Sequence, residues 1–82
     1  ALAGSVVLED GVTLAGGVGI ADGRVVGRGA SVGGRSGVMD DIPPGQAWVG
    51  YPARPARQTM RLIAALETLP DVLKKAQKLL GE

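Results

Sequence analysis

Leu14-Ala15-Gly16-Gly17-Val18-Gly19-Ile20-Ala21-Asp22-Gly23-Arg24-Val25-Val26-Gly27-Arg28-Gly29-Ala30-Ser31-Val32, residues 14–32, returns an aliphatic side chain at every sixth position. Followed outward in both directions, the column reads Leu2, Leu8, Leu14, Ile20, Val26, Val32 and Val38 without a break. Four residues beyond each member stand Val6, Val12, Val18, Arg24, Ala30, Ser36 and Ile42, small or apolar except for Arg24. Three residues beyond stand Ser5, Gly11, Gly17, Gly23, Gly29, Arg35 and Asp41, with four glycines in succession. A period of six with two inward positions and a glycine able to take positive φ describes a short strand followed by a tight corner. Three such units close a triangular coil, and stacked coils bury the aliphatic columns while pairing their backbones with the coils above and below. The sequence therefore predicts a mainly β protein, a parallel β-helix of about two coils. Two coils are few for an independent array, so this stretch reads as the last part of a longer one.

Composition changes near Asp40 to Pro44. Eleven of the 14 Gly fall in residues 1–37 and all five Pro in residues 43–70. This divides the chain into a hexapeptide-repeat coil over residues 1–43, an exit loop over 44–55 and a C-terminal helical part over 56–82. The exit loop carries the turn chemistry of Pro43-Pro44-Gly45 and Gly50-Tyr51-Pro52, with Trp48 and Tyr51 as anchors that pack it. Beyond it, Leu62, Leu66, Leu69, Leu73, Ala76 and Leu80 follow alternating spacings of four and three, the seam of a coiled coil or small bundle. Thr68-Leu69-Pro70-Asp71 has the form of a helix start. It predicts one helix from about Ala56 to Glu67 and a second from about Pro70 to Leu80, with a single kinked helix as the alternative. The thin aliphatic core and the leucine seam together predict self-association.

The missing residue types exclude much chemistry. With no Cys and no His, these 82 residues hold no disulfide, no thiolate or imidazole metal site, no cysteine nucleophile and no histidine base. No metal is expected. Nine Lys plus Arg against eight Asp plus Glu are too balanced for a nucleic-acid or polybasic membrane binder in bulk. The distribution is uneven, because residues 1–42 hold three Arg and five acids and residues 43–82 hold six Lys plus Arg and three acids. No apolar run is long enough for membrane insertion, and nothing at the start resembles a secretory signal, so a cytoplasmic location is expected.

Several clusters invite a functional reading. Glu9-Asp10 and Asp40-Asp41 are read as solvated turn acids, since nothing near them in sequence completes a cation site. The glycines of residues 16–23 fall in the hexapeptide register with no helix following, which argues against a nucleotide loop. Arg54, Arg57 and Arg61 are spaced to share one face if a helix begins near Pro55. Cations at a helix start oppose its dipole, which makes them candidates to meet an acidic partner.

Taken with the repeat, four segments resemble the UDP-3-O-acylglucosamine N-acyltransferases: Ala3-Gly4-Ser5, Gly17-Val18-Gly19-Ile20-Ala21, Ser36-Gly37-Val38-Met39-Asp40-Asp41-Ile42-Pro43-Pro44-Gly45 and Gly50-Tyr51-Pro52-Ala53-Arg54-Pro55. The resemblance implies a left-handed β-helix, a homotrimer, and transfer of a 3-hydroxyacyl chain from acyl carrier protein to the 2-amine of a UDP-glucosamine acceptor in lipid A biosynthesis. It implies no cofactor, the acyl group arriving on the carrier's phosphopantetheine. It places Gly17, Val18, Gly19, Asp22 and Gly23 along the groove for that arm, and Arg54, Arg57 and Arg61 near the carrier. The family's catalytic His belongs to a coil before Ala3-Gly4-Ser5, so no catalytic residue is assigned here and the isolated chain is expected to be inactive. A second family His, associated with the donor arm, falls at Gly23, with Asp22 in place of a Gly. The uridine-binding part that recognises the UDP-sugar is likewise expected only in a longer protein. The contrasting expectation is a non-catalytic module, a minimal or redesigned trimeric β-helix scaffold.

Overall fold

The computed structural model describes residues 4–81. Leu2 and Ala3, from the aliphatic column and the first resembling segment, and Glu82 lie outside the described residues. Six two-residue strands come first: β1 (Val7–Leu8), β2 (Thr13–Leu14), β3 (Gly19–Ile20), β4 (Val25–Val26), β5 (Ser31–Val32) and β6 (Gly37–Val38). Paired among themselves they run parallel and join residues eighteen apart, β1 to β4 through Leu8 and Val26, β2 to β5 through Leu14 and Val32, and β3 to β6 through Ile20 and Val38. That offset is three repeats of six, so each coil has three sides and the aliphatic column stacks on itself.

The corners explain why the sides are short. Gly11, Gly17, Gly23 and Gly29 all take φ between 70° and 76°, a left-handed conformation that costs glycine nothing and other residues about 1 to 2 kcal/mol. Arg35 occupies the next corner with φ 57°. Between corners the predicted inward residues are in the core: Ile20, Val26, Val32 and Val38 are at most 4% exposed, and Val18 and Ala30 are buried beside them. Leu8 is 41% exposed because no described coil lies beneath it. Arg24, the outlier of its column, is half-buried, with Nε 3.8 Å from Asp41 Oδ1.

The third turn is shorter than the repeat predicts. Val26 bridges to Ile42 and Ser31 pairs with Ala47, offsets of sixteen. Four residue steps separate Val38 from Ile42, where six separate Ile20 from Val26. Ile42 therefore stacks on Val26 in the main column, and not on the Ala30 and Ser36 column to which strict periodicity assigns it. The same slip sets Trp48 opposite Val32, where its ring, 8% exposed, closes the end of the column.

The segment expected to be an exit loop is a hairpin. Strand β7 (Ala47–Gly50) extends the β2–β5 sheet and pairs antiparallel with β8 (Ala53–Pro55). Ser36, buried in the wall below, accepts the Gly50 N–H on its hydroxyl at 3.0 Å. One continuous helix follows, α1 (Ala56–Leu79), with Pro70 inside it. This corrects the expectation of two helices and the reading of Thr68 as a cap. The Thr68 hydroxyl donates back to the Ala65 carbonyl at 2.8 Å, and proline's fixed φ is itself helical, so the helix passes through with the loss of one hydrogen bond to Leu66. It ends where the Gly81 N–H reaches the Lys78 carbonyl at 3.2 Å with Gly81 at φ 76°, a glycine terminus. None of α1's residues is buried. Its contacts with the coil run through β7 and β8, and among the described residues no helix is long and apolar enough to cross a membrane.

Candidate functional site

The five residues expected along a groove occupy one side of the triangle and the corners at its ends. Gly17 and Gly23 are those corners, Gly19 lies in β3 paired with Gly37, and Val18 is in the core. The outer surface of this side is therefore nearly bare backbone. Above it the Tyr51 ring lies against Gly37, so close that a Cβ on Gly37 would overlap Cδ2 and Cε2. Tyr51 is thus less an anchor than a cover, since it stays 75% exposed.

Asp22 is engaged through Oδ1. Its carboxylate accepts the Ser5 N–H at 3.1 Å and the Ser5 hydroxyl, and that hydroxyl accepts the Gly23 N–H at 2.9 Å. The Ser5 hydroxyl, then the Ser5 N–H, hold the Asp22 carboxyl below its usual 3.8, the Gly23 N–H adding to this against a small opposing effect of burial. Three of the other turn acids, Glu9, Asp40 and Asp41, also leave the role of merely solvated groups. Glu9 accepts the Arg28 N–H at 3.0 Å, Asp41 the Val25 N–H at 2.8 Å, and Asp40 an N–H of the Arg54 guanidinium at 3.1 Å. Each joins positions sixteen to nineteen apart, or the coil to β8, so the acids tie neighbouring turns together. No cluster of three or more His, Cys, Asp or Glu among the described residues could hold a metal ion.

The three arginines do not form one helical stripe. Arg54 precedes α1, in β8, half-buried and paired with Asp40. Arg57 and Arg61 alone share α1, both exposed. Beside them is a feature the sequence reading missed, an apolar groove of about 370 Å³ between the hairpin tip and the first turns of α1, with Tyr51, Thr59, Leu62, Ile63 and Leu66 in its walls. The Thr59 hydroxyl donates to the Val49 carbonyl at 2.6 Å and fixes the helix against the hairpin. The signal was present in the i, i+1, i+4 run Leu62, Ile63, Leu66, but nothing local says that Tyr51 faces it.

Parallel hexapeptide coils closed by a hairpin and extended by an amphipathic helix define a repeat-coil protein. Its sequence is homologous to part of the UDP-3-O-acylglucosamine N-acyltransferases. It is 40% identical over 65 residues to the one from Caulobacter sp. (strain K31), covering 79% of this chain and 19% of that protein. It is 41% identical over 76 residues to that of Methylobacterium nodulans, covering 85% and 22%. UDP-3-O-acylglucosamine N-acyltransferase 2 of Rhodopseudomonas palustris is 40% identical over 68 residues, 83% of this chain and 18% of its own length. The chain thus spans about a fifth of the length of the curated relatives it matches. No protein-family model and no solved structure matches it.

Proposed function

We propose that the chain is the C-terminal portion of an N-acyltransferase that moves a 3-hydroxyacyl group from acyl carrier protein to the 2-amine of UDP-3-O-acylglucosamine, a step of lipid A biosynthesis in the cytoplasm. The observation that carries this reading is the similarity to acyltransferases of that name along 79 to 85% of the chain. In the reaction the amine nitrogen bonds the thioester carbonyl carbon, the carbon–sulfur bond breaks, a base takes the amine proton and the phosphopantetheine thiol is released. With no His in these residues, the base lies elsewhere in the longer enzyme, and the isolated chain is inactive. Its share of the work is to hold the donor. The flat glycine wall from Gly17 to Gly23 suits an extended arm lying along the coil, the coil is left-handed, and three copies associate to bring such walls next to one another. Arg57 and Arg61 receive the acidic carrier, while Arg54 is withheld by Asp40.

Titrating acyl carrier protein against the chain and against an Arg57→Ala/Arg61→Ala variant tests this. The chain is expected to bind weakly and less so as salt rises, because exposed charges are screened over about 8 Å at physiological salt, and the variant is expected to bind less. Acyl transfer should be absent, since loss of a positioned base alone removes about 100- to 10,000-fold in rate. Equal binding by both proteins would withdraw the arginines from the carrier site. A second reading, a non-catalytic trimeric scaffold, is favoured by the engagement of Asp22 with Ser5, which ties one turn to the next as a structural contact would. Absence of any carrier binding would select it.

A further inference from the structure

The far end of α1 carries a charged surface that the acyltransferase reading does not use. On a helix of 3.6 residues per turn, Leu62, Leu66, Leu69, Leu73 and Leu80 fall within an arc of about 60°. Lys74, Lys78 and Lys75 fall on an arc about 80° or more beyond its edge, so self-association through the leucines leaves them outside. Next to Lys75 on that outer side come Val72 and Leu79, 55% and 88% exposed. Glu67 and Asp71 are the acids of this face, and beyond Asp71 α1 has three cations and no acid. The near-neutral charge of the whole chain conceals this cluster.

We propose that the distal turns of α1 form a docking surface for an anionic lipid bilayer, with Lys74, Lys75 and Lys78 at the headgroups and Val72 and Leu79 at the boundary of the acyl region. The inference goes beyond the acyltransferase reading and does not depend on it. Lysines whose stems flank exposed aliphatic side chains such as Val72 and Leu79 are the composition of a segment that lies on a membrane without crossing it. The choice of cation also separates the two ends of the helix. Arg57 and Arg61 lie near the coil, whereas the distal turns carry only lysine, a point charge on a flexible stem that does not need a fixed partner geometry. The placement is suitable as well, because the molecule is 56 Å long against 22 and 19 Å across and the helix touches the coil only near its start, so its far end reaches a surface unhindered.

Flotation with vesicles of phosphatidylcholine alone, and of phosphatidylcholine mixed with phosphatidylglycerol, tests the proposal on the intact chain. Wild type is expected to float with the mixed vesicles at low salt, to be released as salt rises and to ignore the neutral ones. A Lys74→Gln/Lys75→Gln/Lys78→Gln variant should partition about 100-fold less well, with unchanged circular dichroism because all three side chains are exposed. Leu79→Ser should weaken binding with the lysines intact. Equal flotation of wild type and the triple variant overturns the proposal, as does binding to both vesicle types alike. Failure to float at low salt also overturns it, and if an acidic protein then captures wild type but not the triple variant, the lysines belong to a protein partner.

Discussion

Adding one methyl group at Gly27 and one at Gly37 confronts the coil with two different obstacles. At Gly27 a Cβ would sit 2.5 Å from the Pro44 nitrogen and 2.7 Å from the Ile42 carbonyl oxygen, backbone that the third turn cannot move without losing the Gly27 N–H bond to Ile42 at 2.7 Å. At Gly37 the obstacle is the ring of Tyr51, an exposed side chain that can swing away. Gly27→Ala is therefore expected to cost about 1 to 3 kcal/mol as overpacking against a rigid wall, and Gly37→Ala clearly less. Urea denaturation of the two variants checks the order, and equal losses would mean that Tyr51 is fixed as firmly as the backbone. Asp22 yields a pH prediction. Its carboxyl is held below 3.8 in the folded chain, so its contribution is complete above the unfolded value and disappears as pH falls through the lower folded value. Asp22→Ala should accordingly lower Tm at neutral pH while flattening the loss of Tm below about pH 4. Parallel Tm curves for variant and wild type would show that the Ser5 contact contributes nothing.

Among the elements, what could be read in advance was whatever repeats. Ile20, Val26, Val32 and Val38 were legible as inward positions, and Gly11, Gly17, Gly23 and Gly29 as corners, because burial and positive φ each demand a residue type at a fixed spacing. The shortened turn was not legible. Ile42 is an acceptable inward residue in either register, and only the bridge to Val26 separates them. Strand β7 was hidden for a related reason, since Trp48 takes an aliphatic position two residues before the period reaches it. The candidate site was legible mainly by resemblance. Arg54 was misplaced because it belongs to β8 and not to α1, and Glu9 and Asp41 were underrated because their partners lie about a coil away. Pro70 was given too much weight, although leucines on either side stay in phase and a proline removes a single hydrogen bond. That bond can be restored. Pro70→Ala is expected to raise helical ellipticity and stabilise α1 by up to about 3 kcal/mol. Unchanged ellipticity and thermal stability would mean that packing on Leu66 and Leu73 alone sets the helix.

At the scale of the molecule, the exposed apolar residues of α1 require cover. Leu62, Leu66, Leu69 and Leu73 are 43 to 64% exposed, and Ala65 and Ala76 lie beside them and widen the apolar stripe. Three copies packed along this face are expected in analytical ultracentrifugation at tens of micromolar, on the order of what such a small seam sustains. Leu66→Asp or Leu73→Asp should dissociate them by burying an unpaired charge, and a wild type that sediments only as monomer would refute the assembly. The two-residue deficit between Val38 and Ile42 bears on a separate matter, how a repeating polymer knows where to stop. Nothing in a uniform array marks its last unit, and here the mark is a miscount: one side falls short, the next winding is too tight to seat another of full size, and Trp48 fills the space that remains. A dipeptide inserted beside Asp40 would repair the count while leaving the plug. Deficit and plug are thus separable instructions, and a coil of chosen height could be ended by grafting residues 38–48 onto any register-matched stack.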